Sequence, residues 1–183
     1  MKNQQWRLSS RPEGLIGPEH FERGMETVPD LTAGQVLVKN LYLSFDPTQR
    51  GWVNDTESYM PPVAIGEVMR AGSVGQVVSS EAPGFSVGDL VQGLGGWQEY
   101  FVSEGGLGLS KLPAGITPQQ ALGVFGTTGL TAFFGLLDLS VPKPVDTILV
   151  SGAAGATGQV VGQIAKIKGA RVIGIAGGPE KCR

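Results

Sequence analysis

The chain has 183 residues, of which 41% are hydrophobic and 16% charged, and its formal net charge is −2. This size and composition allow a buried core, and the nearly balanced charge favours neither a nucleic acid nor an anionic membrane as a partner. No apolar segment follows the first residues and no run approaches the ~18 apolar residues of a membrane span, so we expect neither a secretory signal nor a membrane helix.

The cysteine and histidine counts limit redox and metal chemistry. Cys182 is the one cysteine, which excludes an internal disulfide and leads us to expect a cytoplasmic protein. A structural zinc site needs about four Cys or His ligands. Beside Cys182 the chain offers His20 alone, so we expect no metal.

The first two-thirds of the chain, from residue 5 to about 112, predict short antiparallel strands separated by turns. Apolar and polar residues tend to alternate in this region. Val36 and Val38, for example, are expected on one face of their strand. Short strands at such intervals are typical of a small barrel or sandwich. The predicted strands are Trp6–Ser9, Phe21–Val28, Gln35–Ser44, Val74–Ser80 and Trp97–Val102, and Phe85–Gln92 is predicted as a tight turn that leads into a further strand.

The pattern changes to helical after residue 117. A short helix is predicted from Pro118, and a longer apolar helix over Gly126–Asp138. Pro142 and Pro144 then end the helical pattern. We therefore expect a domain boundary near residue 120, which divides the chain into 1–120 and 121–183.

The next segment predicts a strand, a turn of small residues, a helix and a second strand. The first strand is Ile148–Val150, and the second is Arg171–Ala176. Between them, Gly169 stands where a helix C-terminal cap belongs. The helix is expected to bury one face, formed by Val160, Val161, Ile164 and Ile167.

This βαβ pattern indicates a dinucleotide-binding unit. Small residues in the turn let a pyrophosphate approach backbone N–H groups at the helix N-terminus, where the helix dipole favours anions. The alternative is an ordinary tight turn of an α/β protein. Ala153 replaces the first glycine of the usual fingerprint, and the candidate cofactor-binding residues are Ala153, Gly155, Ala156, Thr157 and Gly158.

The residues after the second strand bear on the choice between NAD and NADP. An NAD site usually has an acidic residue there, which binds the ribose 2′-hydroxyl. Gly177 supplies no carboxylate, whereas Lys181 could pair with a 2′-phosphate, so we favour NADP(H). Two alternatives stay open: Lys181 is an exposed lysine without this role, or Glu180 is an NAD ligand.

Four stretches together resemble the medium-chain dehydrogenase/reductase superfamily. Within it they are similar to the zinc-independent branch of prostaglandin reductases, leukotriene hydroxydehydrogenases and plant alkenal double-bond reductases. The resemblance implies a GroES-like N-terminal β-barrel domain followed by the first part of a Rossmann NAD(P)-binding domain. It also implies a chain truncated within the Rossmann domain. The stretches are Leu41–Gly51, Gly126–Gly135, Ser151–Gly158 and Gly174–Cys182.

The resemblance implies NADPH-dependent reduction of the C=C bond of α,β-unsaturated aldehydes or ketones without a metal. Hydride passes from C4 of the nicotinamide to the β-carbon, and hydrogen-bond donors stabilise the enolate. The sequence does not identify the residue that stabilises or protonates this enolate. The alternatives are an NADPH:quinone reductase and, in another class, a truncated non-catalytic fragment or interaction module. The full-length form is expected as a homodimer.

The resemblance also implies positions for the substrate and the nicotinamide. Thr127, Thr128 and Thr131 would lie along the nicotinamide and its ribose; alternatively, their hydroxyls cap a helix or bond back to its carbonyls. Substrate contacts would come from Arg50, Trp52 and Tyr59. Relatives often have tyrosine and methionine before Arg50, where this chain has threonine and glutamine. Trp97 and Tyr100 are interpreted as core aromatics.

Overall fold

The computed structural model describes all residues, 1–183, and divides into two compact units, Met1–Pro118 and Gln119–Arg183. The first is rich in strands and the second alternates helices with parallel strands. No helix is both long and apolar enough to cross a membrane.

The first unit contains a two-stranded and a five-stranded antiparallel sheet. Strand β1 (Lys2–Leu8) pairs with β2 (Phe21–Thr27), and a 3₁₀ turn at Pro18–His20 leads into β2. The larger sheet has the order β6–β3–β4–β5–β7. Its strands are β3 (Gln35–Leu43), β4 (Ser73–Ser80), β5 (Leu90–Gly93), β6 (Tyr100–Glu104) and β7 (Ser110–Lys111), and a short helix, α1 (Thr48–Trp52), follows β3.

The predicted strands of this unit are confirmed in type and order, but β1 begins at Lys2 instead of Trp6, and the two-residue β7 has no predicted counterpart. Trp97, predicted inside a strand, precedes β6, which begins at Tyr100. Since the larger sheet ends at β6 on one side and β7 on the other, strand pairing shows a sheet-rich domain and does not show a closed barrel.

Two apolar clusters form the core of the first unit. One contains Val36, Val38, Val77, Ala82 and Val91. Val36 and Val38 are fully buried on one face of β3 as predicted, but Leu37 between them is also buried, so strict alternation is not observed there. β-Branched side chains suit such a pleated, buried face. The other cluster joins β1 to the segment after α1 and contains Leu8, Trp52, Val53, Val63 and Met69.

The second unit begins with α2 (Pro118–Leu122) and α3 (Thr127–Phe134), and α3 widens into a π-helical turn, Gly135–Ser140. The parallel strands β8 (Thr147–Ser151) and β9 (Arg171–Ile175) are joined by α4 (Ala156–Ile167), and α5 (Gly178–Lys181) follows. The βαβ prediction is therefore confirmed.

The helix α4 buries a narrower face than its sequence predicts. Ala165 is fully buried, and Val161 and Ile164 pack beside it against Leu136. Ile167, predicted on this face, is 81% exposed, so that part of the prediction is wrong. Ile167 is the last residue of α4, and the chain turns away at Gly169, whose φ of +83° fits the predicted C-terminal cap.

Candidate functional site

The turn after β8 brings the candidate phosphate-binding residues together at the start of α4. Gly152 adopts a φ of +59°, a left-handed conformation that favours glycine. Its carbonyl accepts the Gly155 N–H at 2.8 Å, and the Ala153 N–H donates to the Ile175 carbonyl at 3.0 Å. The turn is thus fixed to the end of β9. Sequence reasoning did not single out Gly152, although it directly follows the strand.

Gly158 lies where its helix crosses this turn too closely for a side chain. A Cβ there would contact the Gly152 carbonyl oxygen and lie 2.8 Å from the Ala153 Cα, both backbone atoms that cannot rotate away. A diphosphate that binds at this turn would contact the surface formed by these small residues.

The N-terminus of α4 has the features that a diphosphate requires. Gly155 precedes the helix in an extended conformation, no side chain caps the helix, and its first turn contains no acidic residue. The first N–H groups of an α-helix have no intrahelical partners, and here Ala156, Thr157 and Gly158 carry them. The turn therefore fits the diphosphate of a dinucleotide.

The residues predicted to select the cofactor lie around α5. Gly177 precedes this short helix, and both Glu180 and Lys181 are exposed on it. Neither side chain forms an ion pair within the chain. The geometry leaves the lysine available for a phosphate.

The three threonines predicted to lie along the nicotinamide are all on α3. Thr127 opens the helix and is exposed, and Thr128 is half-buried. The Thr131 hydroxyl donates to the Thr127 carbonyl at 2.7 Å, which is the helix-internal alternative. The nearby Gly129 cannot carry a side chain, because its Cβ would overlap the Val124 carbonyl.

The three substrate candidates occupy different environments. Arg50 donates to the Gly14 carbonyl at 2.7 Å and to Asn54 Oδ1, so its guanidinium fixes a surface loop to α1. Trp52 is 8% exposed and belongs to the core cluster with Leu8. Tyr59 is 73% exposed. The structure does not bring these three side chains together in the cavity described next.

Gln49, which replaces the methionine of relatives, holds two segments of the first unit together. Gln49 is buried, and its amide donates to the Ser44 carbonyl at 3.0 Å and toward the Arg70 carbonyl at 3.4 Å. It therefore connects the end of β3 to the segment before β4.

A cavity of about 620 Å³ lies within the first unit, between the start of β1, the 3₁₀ turn and the segment before β6. Four aromatic residues line it, namely Trp6, Phe21, Phe45 and Trp97. The Trp97 ring lies 5.0 Å from that of Phe21 and 5.5 Å from that of Phe45, measured between centroids. The other lining residues are Gln4, Ile16, Gly17, Pro18, Leu43, Gln98 and Glu99.

The cavity wall is held by main-chain hydrogen bonds between distant segments. The Trp6 N–H donates to the Trp97 carbonyl at 2.8 Å, and the Trp97 N–H donates to the Met69 carbonyl at 2.8 Å. The Gln98 amide accepts from Asn3 and Gln5, each at 3.1 Å, and donates to the Gly95 carbonyl at 2.8 Å.

Sequence reasoning missed this cavity because its residues are scattered along the chain. The interpretation of Trp97 as a core aromatic is correct in part, because Trp97 packs against the core cluster of Leu8 and Trp52 and also lines the cavity. Phe45 is 76% exposed immediately before Asp46 and Pro47, and it is not among the residues predicted from the sequence to contact a ligand. An aromatic residue directly after the end of a predicted strand is the sequence signal that could have identified Phe45 as a cavity residue.

No group of three or more His, Cys, Asp or Glu side chains is arranged to hold a metal ion. Cys182 is exposed and not in a disulfide. The chemistry available to these residues is hydrogen bonding, stacking and the binding of a phosphate-bearing ligand.

Comparison with known proteins agrees with this arrangement. Residues 4–112 match the family model described as the N-terminal domain of oxidoreductase. The chain belongs to this family and lies in the zinc-independent branch of the medium-chain dehydrogenase/reductase superfamily.

Similar proteins cover the chain almost completely. It is 48% identical to an NADPH-dependent curcumin reductase of Escherichia coli over 100% of its length and 53% of the relative's, and 41% identical to prostaglandin reductase 1 of Rattus norvegicus over 96% and 52%. The crystal structure of CurA in complex with NADPH from Vibrio vulnificus matches with a TM-score of 0.91 and 46% identity, over 98% of this chain and 53% of that one. The chain thus spans about half the length of the curated relatives it matches.

Proposed function

We propose that this chain is the substrate domain and the first part of the nucleotide-binding domain of an NADPH-dependent reductase. The enzyme reduces the C=C bond of α,β-unsaturated aldehydes or ketones. Residues 1–120 form the substrate domain, and residues 121–183 bind part of the NADP(H). The full protein acts in the cytoplasm on small molecules, as a homodimer.

The observation that carries this proposal is the turn between Gly152 and Gly158 at the uncapped start of α4. It supports a diphosphate, and similarity to the curcumin and prostaglandin reductases and to the NADPH complex supports the reaction class and the nucleotide. The single exposed thiol suits a reducing compartment.

The residues of the chain have separate tasks in this proposal. The N–H groups from Ala156 to Gly158 bind the diphosphate, and Lys181 pairs with the 2′-phosphate. Thr127 and Thr128 offer hydroxyls to the nicotinamide ribose, and the Thr131 hydroxyl oxygen can still accept a hydrogen bond. Arg50 and Tyr59 line the route to the substrate, while Trp52 supports them from the core.

When bound, the nicotinamide supplies a hydride. The protein contributes by holding the acceptor carbon close to this donor and by excluding water. Proximity and orientation of the two carbons supply much of the reduction in the activation free energy of such a transfer.

The test is to measure NADPH and NADH binding, followed by NADPH oxidation with short enals and with quinones, on a protein that contains these 183 residues together with a complete nucleotide-binding domain. We expect micromolar NADPH binding, weaker NADH binding and turnover of enals. Turnover of quinones alone would instead indicate a quinone reductase. Absence of nucleotide binding would contradict the proposal and favour an interaction module.

A further inference from the structure

The turn after β8 packs against β9 through one pair of residues, Ala153 and Gly174. Gly174 is the fourth residue of β9 and is exposed. A Cβ built on it would lie 2.7 Å from the Cβ of Ala153, and no other heavy atom outside the adjoining residues lies within 4 Å. The Ala153 methyl group is therefore the one group of the turn that prevents a side chain at position 174.

The backbone itself does not require glycine at this position. Gly174 pairs with Val150 inside the parallel sheet and has no positive φ, unlike Gly152 in the turn. Any residue adopts the extended backbone of a strand, and glycine within a strand often marks the close approach of another segment. Here the approaching segment is the turn, and the approaching group is the Ala153 methyl.

Ala153 is also fixed by two further contacts. A Cβ at Gly158 would lie 2.8 Å from the Ala153 Cα, so the first turn of α4 lies directly against this residue. The Ala153 N–H donates to the Ile175 carbonyl at 3.0 Å. Ala153 thus connects β9 to the start of α4, where the N–H groups from Ala156 to Gly158 lie.

This packing explains how alanine is accommodated in the fingerprint. Ala153 stands where the usual fingerprint has its first glycine, and it has no positive φ, so its backbone conformation permits a side chain. The methyl group nevertheless needs space beside β9. Gly174 leaves that space, because it has no side chain of its own.

We propose that Gly174 is a positioning residue of the diphosphate site, which lets the Ala153 methyl lie against β9 and so holds the N–H groups of α4 where they bind the dinucleotide. That the ligand is NADP(H) rests on the function proposed above; the fit between Ala153 and Gly174 does not. Carbon atoms pack at about 3.5–4.0 Å, so a methyl group at position 174 must move the turn away from β9 by about 1 Å.

The variants are compared in a protein that contains these 183 residues together with a complete nucleotide-binding domain. Gly174→Ala should weaken NADPH and NADH binding by the same factor, about tenfold, because the diphosphate is common to both and its hydrogen bonds depend on donor position. It should also accelerate hydrogen exchange of the Ala153 amide, since the bond to Ile175 lengthens. Calorimetry and NMR measure the two effects.

A second substitution at position 153 tests whether the two methyl groups compete. In an Ala153→Gly background the space is vacant, so adding Gly174→Ala should change nucleotide affinity by less than about twofold. Ala154→Gly is the matched control, because it removes a methyl group from the same turn that is not within 4 Å of a Cβ at position 174. Gly174→Ala should keep its tenfold effect in that background.

The outcomes separate this proposal from the previous one. If Gly174→Ala lowers only the stability, or if Ala153→Gly does not remove its effect, Gly174 does not position the site, and the reductase proposal stands. A loss confined to NADPH would assign the effect to the segment of Lys181 and would also contradict the proposal. If the wild type binds no nucleotide, the reductase proposal fails, while the exchange of the Ala153 amide still tests the fit of the turn.

The double variant also covers the case in which Gly174→Ala does not fold. A folded Ala153→Gly, Gly174→Ala protein that binds nucleotide as Ala153→Gly does would support the proposal. A double variant that remains unfolded would contradict it, because a contact other than the Ala153 methyl would then exclude the side chain.

Discussion

Glu99 and Gln4 are joined by two hydrogen bonds that run in opposite directions. The Glu99 N–H donates to the Gln4 carbonyl at 3.0 Å, and the Gln4 N–H donates to Oε2 of Glu99 at 3.1 Å. The first bond fixes the main chains, and the second fixes the carboxylate. The acceptor at the cavity rim is therefore oriented before any ligand arrives, and preorganisation of this kind reduces the cost of binding.

Gly158→Ala should weaken NADPH binding and destabilise the second unit. Its methyl group would overlap the Gly152 carbonyl oxygen and the Ala153 Cα, so the turn and the helix must separate. We expect at least a tenfold loss of affinity, as the phosphate-binding N–H groups are displaced. Isothermal calorimetry and urea unfolding measure the two effects.

Gly162→Ala is its matched control on the same helix. A Cβ at Gly162 meets only Val172 Cγ1, at 3.7 Å, an ordinary contact. Alanine should raise the free energy of unfolding by up to about 1 kcal/mol through helix propensity, with unchanged NADPH binding. Equal effects of the two substitutions would show that the turn is not specially close-packed.

Lys181→Met should weaken NADPH binding about tenfold and leave NADH binding unchanged, because only NADPH has the 2′-phosphate. The side chain is exposed, so the difference should shrink as salt is raised. Lys168→Met, at the far end of α4, is the control. If Glu180→Gln weakens NADH while Lys181→Met changes neither nucleotide, the assignment of NADP is wrong.

Val141→Asn should stabilise the second unit. Val141 has a φ of +44° and a ψ of +62° after the π-helical turn, and its N–H donates to the Leu136 carbonyl at 3.0 Å. This left-handed conformation costs a β-branched residue about 1–2 kcal/mol, and asparagine tolerates it better. Urea unfolding should show a gain of about 1 kcal/mol.

Val145→Asn serves as the comparison, since Val145 is also exposed and has no positive φ. It should change stability little. A loss of stability in Val141→Asn would mean that contacts of the valine outweigh its backbone conformation.

The Asp89–Lys111 pair should contribute a pH-dependent part of the stability of the first unit. The Lys111 ammonium, which donates to Oδ2 at 2.6 Å, and the Ser86 N–H, at 2.7 Å, hold the pKa of Asp89 below its ordinary value of 3.8. The contribution is thus fully present above pH 3.8 and is lost as the pH falls through the lowered pKa.

Asp89→Asn should therefore lower the urea midpoint at pH 7, and the difference from wild type should disappear in strong acid. Lys111→Met should have a smaller effect of the same sign, since it removes the ammonium and leaves the Ser86 N–H bonded to Asp89. A difference that persists unchanged in strong acid would show that the asparagine perturbs the turn by other means.

The sequence predicted the elements of this fold better than its concave surfaces. The apolar face that contains Val36 and Val38 and the small residues from Ala153 to Gly158 are local patterns, and each follows from one segment of chain. The cavity needs Trp6, Phe45 and Trp97 together, and these meet only through pairing of residues far apart in the sequence. The exposure of Ile167 depends on where the helix ends relative to its neighbours, which periodicity does not specify.

The residues that line the cavity differ in how well they tolerate substitution. Gln98 belongs to the part that the fold requires, and the residues at the rim do not. Substitution of Gln98 breaks hydrogen bonds to Asn3, Gln5 and Gly95 at once, and a Cβ on Gly95 would collide with the Ser73 hydroxyl. Positions 4, 45 and 99 carry side chains that the core does not need. A directed-evolution library restricted to these three codons would sample new ligand preferences while the scaffold stays folded, and natural divergence would be tolerated at the same three places.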